Sequence, residues 1–389
     1  MSCLWEPKWS VTKKRQYYFN TTTGQSSWEP PLFNSQSSHV QSSLAVTNPT
    51  LFHSAPVFMA DSADLVQTQD SQGAENSPGT EVTIARVDKN GDAAVAAHYD
   101  RITLQSRHEN IDRDNTRQLR AFNNWVKAWL INKYGQGTIT LDLACGRGQD
   151  LNKWARARCP QYLGVDVSLY AVDEAVRRVS TRGFNFAKVI QHNLATEPCI
   201  EFPCDVVSCM FAFHYFWQSE EALRCFLTTV TKNLRNKGRV LLTFPDAAVI
   251  KFYLMHGTVE NGVRVASNEL FQIEMQEQQW QNLNVADSNN AFGWSYTFTL
   301  KNAVERCVEH LVIVPVLQVI LAEFQLHILK IAPFQQFYHE LAAKNEFMQE
   351  LRDMRVTDTA GGIPEAQWET VGLYQVVVLQ LDRVRDLLL

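Results

Sequence analysis

The ten residues LDLACGRGQD, at positions 141–150, join an apolar run to a turn that contains two glycines. Asp142 lies within the apolar run, and Gly146 and Gly148 follow it. Glycine has no Cβ atom, so a backbone with glycines at this spacing can approach a bound ligand closely. A dinucleotide-binding turn would place a third glycine near Asp150, and none is present there. The stretch therefore predicts a β-strand that ends in a ligand-binding turn, and it leaves the ligand open.

Short apolar runs and amphipathic helical patterns alternate around this stretch. The predicted strands are rich in β-branched residues and occupy residues 139–143, 162–167, 186–191, 204–210 and 238–244. The predicted helices include residues 117–131, residues 168–182, and a helix that opens with Ser219 as its N-cap and closes near Gly238. Strands that alternate with helices form a parallel sheet covered on both faces, and such sheets bind ligands at the carboxyl ends of their strands. We therefore predict an α/β fold with its site at that edge.

Polar and aromatic side chains follow the other predicted strands at the same edge. The second strand ends at Asp166, which can accept hydrogen bonds from a ribose, and Asn193 follows the third strand. The stretch SCMFAFHYFW (208–217) continues the fourth strand as an apolar run up to His214 and Tyr215. A glycine turn, an acid, an amide and an aromatic group in this order suit S-adenosylmethionine better than NAD, and a dinucleotide ligand stays as an alternative. His214 is either part of this site or a buried histidine bonded to a backbone carbonyl.

Composition and charge narrow the class of protein. The chain has 389 residues, of which 45% are hydrophobic, so it can bury a large core and form more than one domain. Its formal net charge of −5 predicts that any nucleic-acid site is a local cluster of cations. Eight scattered cysteines without a CxxC pair argue against a metal site or a disulfide framework and for a reducing compartment. The amino terminus lacks the pattern of a signal peptide and the apolar run at 311–324 is shorter than a membrane span, so we expect a soluble intracellular protein.

Three zones of different composition follow one another along the chain. Residues 1–33 are dense in Trp, Tyr and Pro, and residues 34–91 are rich in Ser, Gln, Asp and Thr. The second zone cannot bury enough apolar surface to offset the entropy of ordering it, so we expect a flexible linker there. A globular pattern runs from residue 92 to residue 389. We therefore predict a small domain at 1–33 and a large domain at 92–389, joined by the linker.

A series of short motifs in the third zone resembles the eukaryotic mRNA cap guanine-N7 methyltransferase family. The motifs occur in the order HYD (98–100), RAFNNWVKAWLI (120–131), LDLACGRGQDLNKW (141–154), VDVS (165–168), FAFHYFW (211–217), TFPD (243–246), VEHLV (308–312) and EAQWETVGLYQVVVLQ (365–380). Each motif is short, but the ordered set covers essentially all of the third zone. The resemblance implies a class I S-adenosylmethionine-dependent methyltransferase sheet, S-adenosylmethionine as the methyl donor and the capped 5′ end of an RNA as the substrate.

The resemblance also implies which residues form the site. Together with the glycine turn, it gives the methyl-donor contacts as Lys127, Asp142, Ala144, Gly146, Asp166, Asn193, Met210 and Tyr215. It gives the cap contacts as Asn123, Asn124, Arg147, Lys153, Arg178, His214, Pro245, Glu309 and Tyr374. The sequence departs from the usual residues of the family at four positions, where Ala144 and Gln149 replace Gly, Asn193 replaces Asp and Met210 replaces Gln. Because Met210 loses a polar contact to the donor, we expect an effect on donor affinity more than on activity.

These assignments imply transfer of a methyl group to N7 of the terminal guanine of GpppN-capped RNA. Guanine N7 carries a free lone pair and loses no proton, so the reaction needs no general base and depends on alignment of the reacting atoms. Glu309 is implied to accept from guanine N1–H and N2–H, and His214 to bond O6. The cations Arg147, Lys153 and Arg178 are implied to hold the triphosphate. The alternatives are an adaptor whose methyltransferase fold has lost donor binding and a small-molecule methyltransferase.

The first zone resembles a WW domain. Its landmarks are Trp5, Tyr17, Tyr18, Phe19, Asn20, Trp28 and Pro31. The resemblance implies three short strands and a groove between Tyr17 and Trp28 for a polyproline-II peptide. The cations Lys14 and Arg15 either form a solvated turn or bind a phosphate next to the proline. Capping acts on nascent transcripts, so the phosphorylated Ser-Pro repeats of the RNA polymerase II tail are the expected ligand and the nucleus the expected location.

Overall fold

The computed structural model describes two units of the chain, residues 1–57 and residues 58–389, in part. The described residues are 116–198, 201–283, 291–342, 345–358 and 361–383, with the backbone alone at 5–10, 15–20, 26–27 and 345–348. The predicted linker, the HYD motif, Lys14 and Trp28 lie outside the described residues, and the side chains of Tyr17 and Arg15 do as well. No helix within these ranges is both long and apolar enough to cross a membrane.

The first unit contains a three-stranded antiparallel sheet. Its strands are β1 (Trp5–Ser10), β2 (Arg15–Asn20) and β3 (Ser26–Ser27), in the order β1-β2-β3. The backbone of Trp5 lies opposite Asn20, and that of Tyr18 lies opposite Ser27. These are the three short strands that the WW resemblance implies.

A seven-stranded sheet forms the centre of the second unit. Its strands are β4 (Thr140–Leu143), β5 (Tyr162–Asp166), β6 (Ala187–Gln191), β7 (Cys204–Met210), β8 (Leu234–Pro245), β14 (Leu326–Pro333) and β15 (Tyr374–Leu381). They follow the order β14-β15-β8-β7-β4-β5-β6. The strands from β4 to β8 pair in parallel, whereas β15 is antiparallel to β8 and to β14. The predicted parallel α/β sheet is therefore confirmed for five strands, and the pair β14–β15 is an addition that the sequence analysis does not predict.

Helices cover the sheet and bury aromatic side chains against it. They are α1 (Arg117–Tyr134), α2 (Leu151–Arg156), α3 (Leu169–Arg182), α4 (Glu220–Asn233), α5 (Ala247–Met255), α6 (Glu277–Asn282), α7 (Val314–Glu323), α8 (Phe334–Ala342), α9 (Asn345–Asp353) and α10 (Glu365–Val371). The buried Phe122 and Trp125 of α1 pack on Phe334 and Phe337 of α8, with ring centroids 5.8 Å apart in both pairs. The apolar spacing predicted for α1 therefore marks the face that packs in the core.

The predicted end of α4 is wrong, although its predicted N-cap is confirmed. The Ser219 side chain accepts a hydrogen bond from the Ala222 N–H. The helix ends at Asn233 and not near Gly238, because Leu234 adopts an extended backbone and pairs with Cys204 of β7. Residues 234–237 therefore belong to β8 and lengthen it.

The predicted bounds of the fourth strand, residues 204–210, are confirmed, because β7 ends at Met210, whereas the expectation that the strand continues up to His214 is wrong. Phe211 has a φ of +63°, in the left-handed region, and its N–H donates to the carbonyl of Thr243 at 2.8 Å. A short 3-10 helix follows over Phe213–Gln218. The chain thus turns at Phe211, and the histidine and tyrosine after it lie beyond the strand rather than in it.

A second sheet of five antiparallel strands, which the sequence analysis does not predict, adjoins this turn. Its strands are β9 (Thr258–Glu260), β10 (Val263–Ser267), β11 (Phe271–Gln276), β12 (Ser295–Leu300) and β13 (Val304–His310), in the order β13-β12-β11-β10-β9. Trp217 of the 3-10 helix donates from Nε1 to the Ala291 carbonyl at 2.7 Å and stacks on Phe292 at 4.8 Å. This contact fixes the 3-10 helix to the segment that leads into β12.

Candidate active site

A cavity of about 1120 Å³ lies at the carboxyl ends of β4, β5, β6 and β7. All eight residues predicted to contact the methyl donor line it, namely Lys127, Asp142, Ala144, Gly146, Asp166, Asn193, Met210 and Tyr215. Four of the predicted cap contacts also line it, namely Asn123, Asn124, Arg147 and Arg178. The other five are not among its lining residues, namely Lys153, His214, Pro245, Glu309 and Tyr374. The fold therefore brings the predicted donor residues together in one space.

The glycine turn after β4 is tied to the tip of β5 through the Asp166 carboxylate. Gly146 has a φ of +54°, and its N–H donates to Asp166 Oδ2 at 2.7 Å. The N–H of Ser168 donates to the other carboxylate oxygen at 2.9 Å. A Cβ atom built on Gly146 would meet nothing within 4 Å, so the turn faces open space. The backbone bonds hold both the turn and the carboxylate in position before any ligand enters.

The four departures from the family's usual residues have different structural contexts. Ala144 has a φ of +57°, which is the conformation that favours glycine, so its methyl group is accommodated with backbone strain. Gln149 has a negative φ and needs no glycine. Asn193 keeps the acceptor that an aspartate would supply, because its Oδ1 accepts from the Ala195 N–H at 3.0 Å. Met210 lies half-buried on the cavity wall at the end of β7.

Asp142 joins three neighbouring strands of the central sheet. Its Oδ2 accepts from the Tyr162 hydroxyl of β5 at 2.7 Å, and its Oδ1 accepts from the Ser208 hydroxyl of β7 at 2.6 Å. Burial, together with the negative charge of Asp150, raises the pKa of Asp142 to about 7. Asp142 therefore lies on the cavity wall, as predicted, and it also cross-links β4, β5 and β7, which the sequence analysis does not predict.

Asp150 is bound by two cations of the predicted site. Its carboxylate lies 2.8 Å from the ammonium of Lys127 and 2.7 Å from that of Lys153. Burial opposes its ionisation, but the two ammonium groups hold the pKa of Asp150 well below its usual range. Lys153 also donates to Asn124 Oδ1 at 3.0 Å. The structure thus adds Asp150 to the site, and the sequence signal for it is a carboxylate three residues before a predicted ligand-binding lysine.

Beside the cavity, His214 and Glu309 form a buried pair. His214 is 2% exposed and Glu309 is 5% exposed, and His214 Nε2 lies 3.5 Å from Glu309 Oε1. The buried Tyr296 of β12 donates to Glu309 Oε2 at 2.7 Å. Within the described ranges neither ring nitrogen of His214 has a hydrogen-bond partner. The alternative of a core histidine bonded to a backbone carbonyl is therefore wrong, and the pair keeps hydrogen-bonding capacity that no side chain or backbone group of the described ranges uses.

His310, the neighbour of Glu309 on β13, adds a second imidazole to this pair. Burial and the nearby His214 lower the pKa of His310 to about 4, so its ring is neutral near pH 7. Its Nδ1 is buried and has no partner within the described ranges. His310 therefore adds no positive charge to the pair near pH 7.

Aromatic rings connect the buried pair to the cavity. Tyr215 lines the cavity, its ring lies 4.2 Å from the His214 ring, and its hydroxyl is 3.3 Å from Cys307 Sγ. Phe211 also lines the cavity and packs edge-on against Tyr374 at 5.3 Å. Tyr374 pairs with Pro245 across β15 and β8. Phe211 was missed in the sequence, where its signal is an aromatic residue directly after the apolar strand.

The order of the central sheet, with β15 reversed between β14 and β8, and the acidic tip of β5 beside a glycine turn define a class I S-adenosylmethionine-dependent methyltransferase. Its methyl donor is S-adenosylmethionine. The amino-terminal three-stranded sheet is a separate addition to this class of enzyme.

Comparison with known proteins identifies the family. Residues 82–381 match the mRNA (guanine-N(7))-methyltransferase domain, and residues 2–31 match the WW domain. The chain therefore belongs to the mRNA (guanine-N7)-methyltransferase family of enzymes and carries an amino-terminal WW domain.

Three relatives illustrate the similarity. The mRNA cap guanine-N(7) methyltransferase of Candida glabrata is 28% identical over 307 residues, which are 75% of this chain and 73% of the relative. That of Saccharomyces cerevisiae is 30% identical over 64% of this chain and 60% of the relative. The mRNA cap guanine-N(7) methyltransferase 1 of Arabidopsis thaliana is 30% identical over 75% of this chain and 82% of the relative. The family therefore extends across fungi and plants.

Proposed function

We propose that this enzyme transfers the methyl group of S-adenosylmethionine to N7 of the terminal guanine of GpppN-capped RNA, and that it acts by holding the two substrates in line. The observation that carries the proposal is the buried pair His214 and Glu309, which lies next to the donor cavity and has unused hydrogen-bonding capacity. Tyr215, whose ring contacts His214 and lines the cavity, connects the guanine to the donor.

The buried pair matches the polar edge of guanine. Guanine presents the acceptor O6 and the donor N2–H₂ on the same ring, with N1–H between them. Glu309, fixed through Oε2 by the Tyr296 hydroxyl, accepts from the two donors, and His214 donates to O6. Adenine carries a donor where guanine carries O6, so the same pair rejects it. A buried carboxylate and imidazole are costly without such partners, which adds to the selectivity.

The cations at the cavity supply the site for the triphosphate. Arg147 and Arg178 line the cavity, on the glycine turn and on α3. The Lys153 ammonium has three donors, of which the Asp150 carboxylate and Asn124 take two. The third is available for a phosphate oxygen. Charge-assisted bonds of this kind are stronger than neutral ones, so an overall acidic protein can hold a polyanionic RNA end.

Catalysis then follows from position and not from proton transfer. Methylation of N7 uses a free lone pair, so no side chain has to remove a proton. S-adenosylmethionine supplies the electrophilic methyl group on a sulfonium. Asp166 and the glycine turn fix the donor side, and the His214–Glu309 pair fixes the acceptor side, so that N7 meets the methyl group in line. Alignment of two bound reactants is worth up to about 7–11 kcal/mol in favourable cases.

The direct test is a product analysis. Purified protein is incubated with GpppA-capped RNA and S-adenosylmethionine labelled in the methyl group, and the RNA is digested to nucleosides. We expect the label in 7-methylguanosine. Label on a ribose 2′-oxygen or on adenine contradicts the proposal. The adaptor alternative predicts no labelled product with any RNA, and a small-molecule enzyme predicts the same.

For the WW domain, we propose that it binds proline-rich segments and, in particular, the phosphorylated Ser-Pro repeats of the RNA polymerase II tail in the nucleus. The match of residues 2–31 to the WW family supports a groove for polyproline-II peptides. Tyr17 and Trp28 supply its walls by resemblance, and Lys14 and Arg15 supply charge for a phosphate. Such a contact would bring the enzyme to transcripts as they emerge. The proposal includes the domain boundaries, so that the WW domain ends at residue 33, the linker covers residues 34–91 and the methyltransferase domain begins at residue 92.

Titration of the full chain with a Ser-Pro repeat peptide, phosphorylated or not, tests this interaction. We expect tighter binding of the phosphorylated form at low salt, by a modest factor because exposed charge pairs contribute only about 0–1 kcal/mol. Trp28→Ala removes binding of both forms, whereas Lys14→Ala with Arg15→Ala removes only the preference. Equal affinity for both forms at low salt means that the two cations form a solvated turn.

A further inference from the structure

The cavity extends past the glycine turn along one face of α3. The residues that α3 contributes to the lining are Ala171, Arg177, Arg178, Thr181 and Arg182, and Phe184 follows the helix. Ala171, Arg178 and Arg182 recur at the spacing of one helix face, and Arg178 and Arg182 are one turn, about 6 Å, apart. A Cβ atom on Gly148 would lie 3.2 Å from the Ala175 Cβ. The glycine turn therefore packs on α3 one turn before Arg178.

The charges along the lining are not evenly distributed. The carboxylates that line the cavity are Asp142, Asp150 and Asp166, and none of them belongs to α3 or to the segment that ends at Phe184. The part lined by α3 and the residue after it contains Arg177, Arg178 and Arg182 and no carboxylate. Glu174 binds Arg177 through two hydrogen bonds and Arg178 through its Nε alone, without lining the cavity itself. This end of the cavity therefore carries a net positive charge.

An aromatic ring lies at the far end of this positively charged part of the cavity, which we call the basic groove. Gly183 closes α3 with a φ of +64°, and the Phe184 N–H donates back to the Val179 carbonyl at 2.9 Å. Such a turn fixes the direction of the chain after a helix. Phe184 lies half-buried beside Phe186, with ring centroids 5.5 Å apart, and it lines the cavity. Arg182 is therefore followed closely by an aromatic ring, Phe184. Proteins bind single-stranded nucleic acids with such pairs, in which the cation contacts a phosphate and a base stacks on the ring.

We propose that Arg182 and Phe184 bind the transcribed nucleotides that follow the first one, beyond the cap dinucleotide. This inference rests on the proposed function, because an RNA joined to a cap in this cavity has to leave it along a path of suitable chemistry. The triphosphate cations Arg147 and Arg178 lie at the start of the groove, and Arg182 and Phe184 lie at its far end. A phosphate contacts Arg182, and a base stacks on Phe184.

The test compares a cap dinucleotide with a longer RNA in the same enzyme. The KM of GpppA and the KM of a GpppA-capped oligonucleotide are measured for the wild type, Arg182→Gln, Phe184→Leu and the double variant. Leucine keeps the apolar contact at the helix end and removes the flat ring. We expect the KM of capped RNA to rise about tenfold in the double variant, as for the loss of one stacked base. The KM of GpppA stays at its wild-type value. The salt dependence of the KM for capped RNA falls by about 0.7 in logarithmic slope with Arg182→Gln.

Arg156→Gln provides a matched control, because Arg156 is also an arginine in the last turn of a helix and does not line the cavity. If Arg182→Gln and Phe184→Leu act no more strongly on capped RNA than this control, the two residues only terminate α3 and the inference is wrong. An equal rise in the KM of GpppA also overturns it, because the residues then belong to the cap site. A wild-type enzyme that methylates neither substrate refutes the proposed function instead.

Discussion

At the scale of single residues, the proposed recognition of guanine depends most on Glu309. Its carboxylate is 5% exposed, with the Tyr296 hydroxyl at 2.7 Å and His214 at 3.5 Å. A buried carboxylate is stable only with hydrogen-bond donors around it. One of its oxygens has a firm donor, and the other faces an imidazole that has no hydrogen-bond partner within the described ranges. In the proposed function, a ligand with two donors and one acceptor completes this arrangement.

Substitution of Glu309 tests this role. We expect Glu309→Ala to abolish guanine methylation while it leaves the affinity for S-adenosylmethionine nearly intact, because the donor cavity lies on the other side of Tyr215. Tyr296→Phe removes only the fixing bond and lowers kcat/KM for capped RNA by about tenfold or more, the usual effect of losing a hydrogen bond to a charged group. Calorimetry gives the donor affinity and initial rates give kcat/KM. Equal loss of donor binding and activity in Glu309→Ala would mean that the residue is structural.

Ala144 is strained, so replacing it with the family's usual glycine is expected to stabilise the fold. An L-residue in the left-handed region costs about 1–2 kcal/mol, and glycine avoids most of this cost. We expect Ala144→Gly to raise the free energy of unfolding by up to about 1 kcal/mol in urea titrations. Ala128→Gly, within the regular helix α1, is the control and is expected to lower it by about 1 kcal/mol. A loss of stability in both variants would contradict the prediction that the backbone of Ala144 is strained.

Residue-level prediction succeeded where the partner is close in sequence or at a strand end. Asp166 and Gly146 were found because each lies at the end of a recognisable strand. Asp150 has one partner, Lys153, three residues away, but its pairing with Lys127, 23 residues away on α1, was not predicted. Tyr296 was missed because β12 and β13 come together only in the folded hairpin. Long-range pairing of polar groups has no local pattern that a single sequence displays.

At the scale of elements, Asp142, which cross-links β4, β5 and β7 by hydrogen bonds, makes the free energy of unfolding depend on pH. Burial raises the pKa of Asp142 to about 7, whereas an unfolded aspartate titrates near 3.9. The folded state therefore binds a proton that the unfolded state has lost, and this stabilisation is complete below about pH 4. It is lost as the pH rises through about 7.

Asp142→Asn removes the ionisable group, so a comparison of the variant with the wild type measures its contribution to the free energy of unfolding. We expect the free energy of unfolding of the wild type, relative to the variant, to fall by about 1.4 kcal/mol per pH unit between about pH 4 and pH 7. Urea titrations of both proteins at several pH values measure the difference. Parallel profiles over this window would show that Asp142 is ionised in the folded protein throughout it.

Prediction at the level of elements depended on continuous apolar strands. The central parallel strands β4, β5 and β7 are buried at nearly every position and form short apolar runs, so the sequence displays them clearly. The edge strand β6 buries only Val189. The second sheet, β9 to β13, is called the small sheet below, and it was not predicted because buried and polar residues alternate along its strands. In β11 and β12 every second residue is buried, and the polar side chains between them are more exposed. Such half-buried strands resemble loops in a sequence when they are only five or six residues long. The turn after β7 was not predicted for another reason, since a left-handed turn at Phe211 has no apolar or polar signature.

At the scale of the whole molecule, the family match and the WW match do not overlap along the chain. They cover residues 82–381 and 2–31. The residues of the donor cavity and of the buried pair all lie in the first of these ranges. Methyl transfer is therefore expected to need only the large domain.

Deletion of the WW domain tests this separation. We expect a fragment of residues 82–389 to methylate capped RNA with kcat and KM within about twofold of the full chain, because no residue of the proposed chemistry is removed. Initial rates measured on the two proteins decide it. A fragment that folds, as judged by a cooperative thermal transition, but lacks activity would show that the amino-terminal unit contributes to the active site.

The residues of the proposed guanine site come from two sheets, since His214 and Tyr215 follow β7 whereas Glu309 lies on β13, at the edge of the small sheet. The stacked rings of Trp217 and Phe292 form a contact that joins the segment after β7 to the segment before β12. Proteins open in local units, often one supersecondary element at a time. A transient detachment of the small sheet would take Ala303 away from the cavity wall, leave the residues predicted to contact the methyl donor in place and erase base recognition. Amide hydrogen exchange in β12 and β13 should consequently slow when a cap analogue is bound and stay almost unchanged when only the methyl donor is bound.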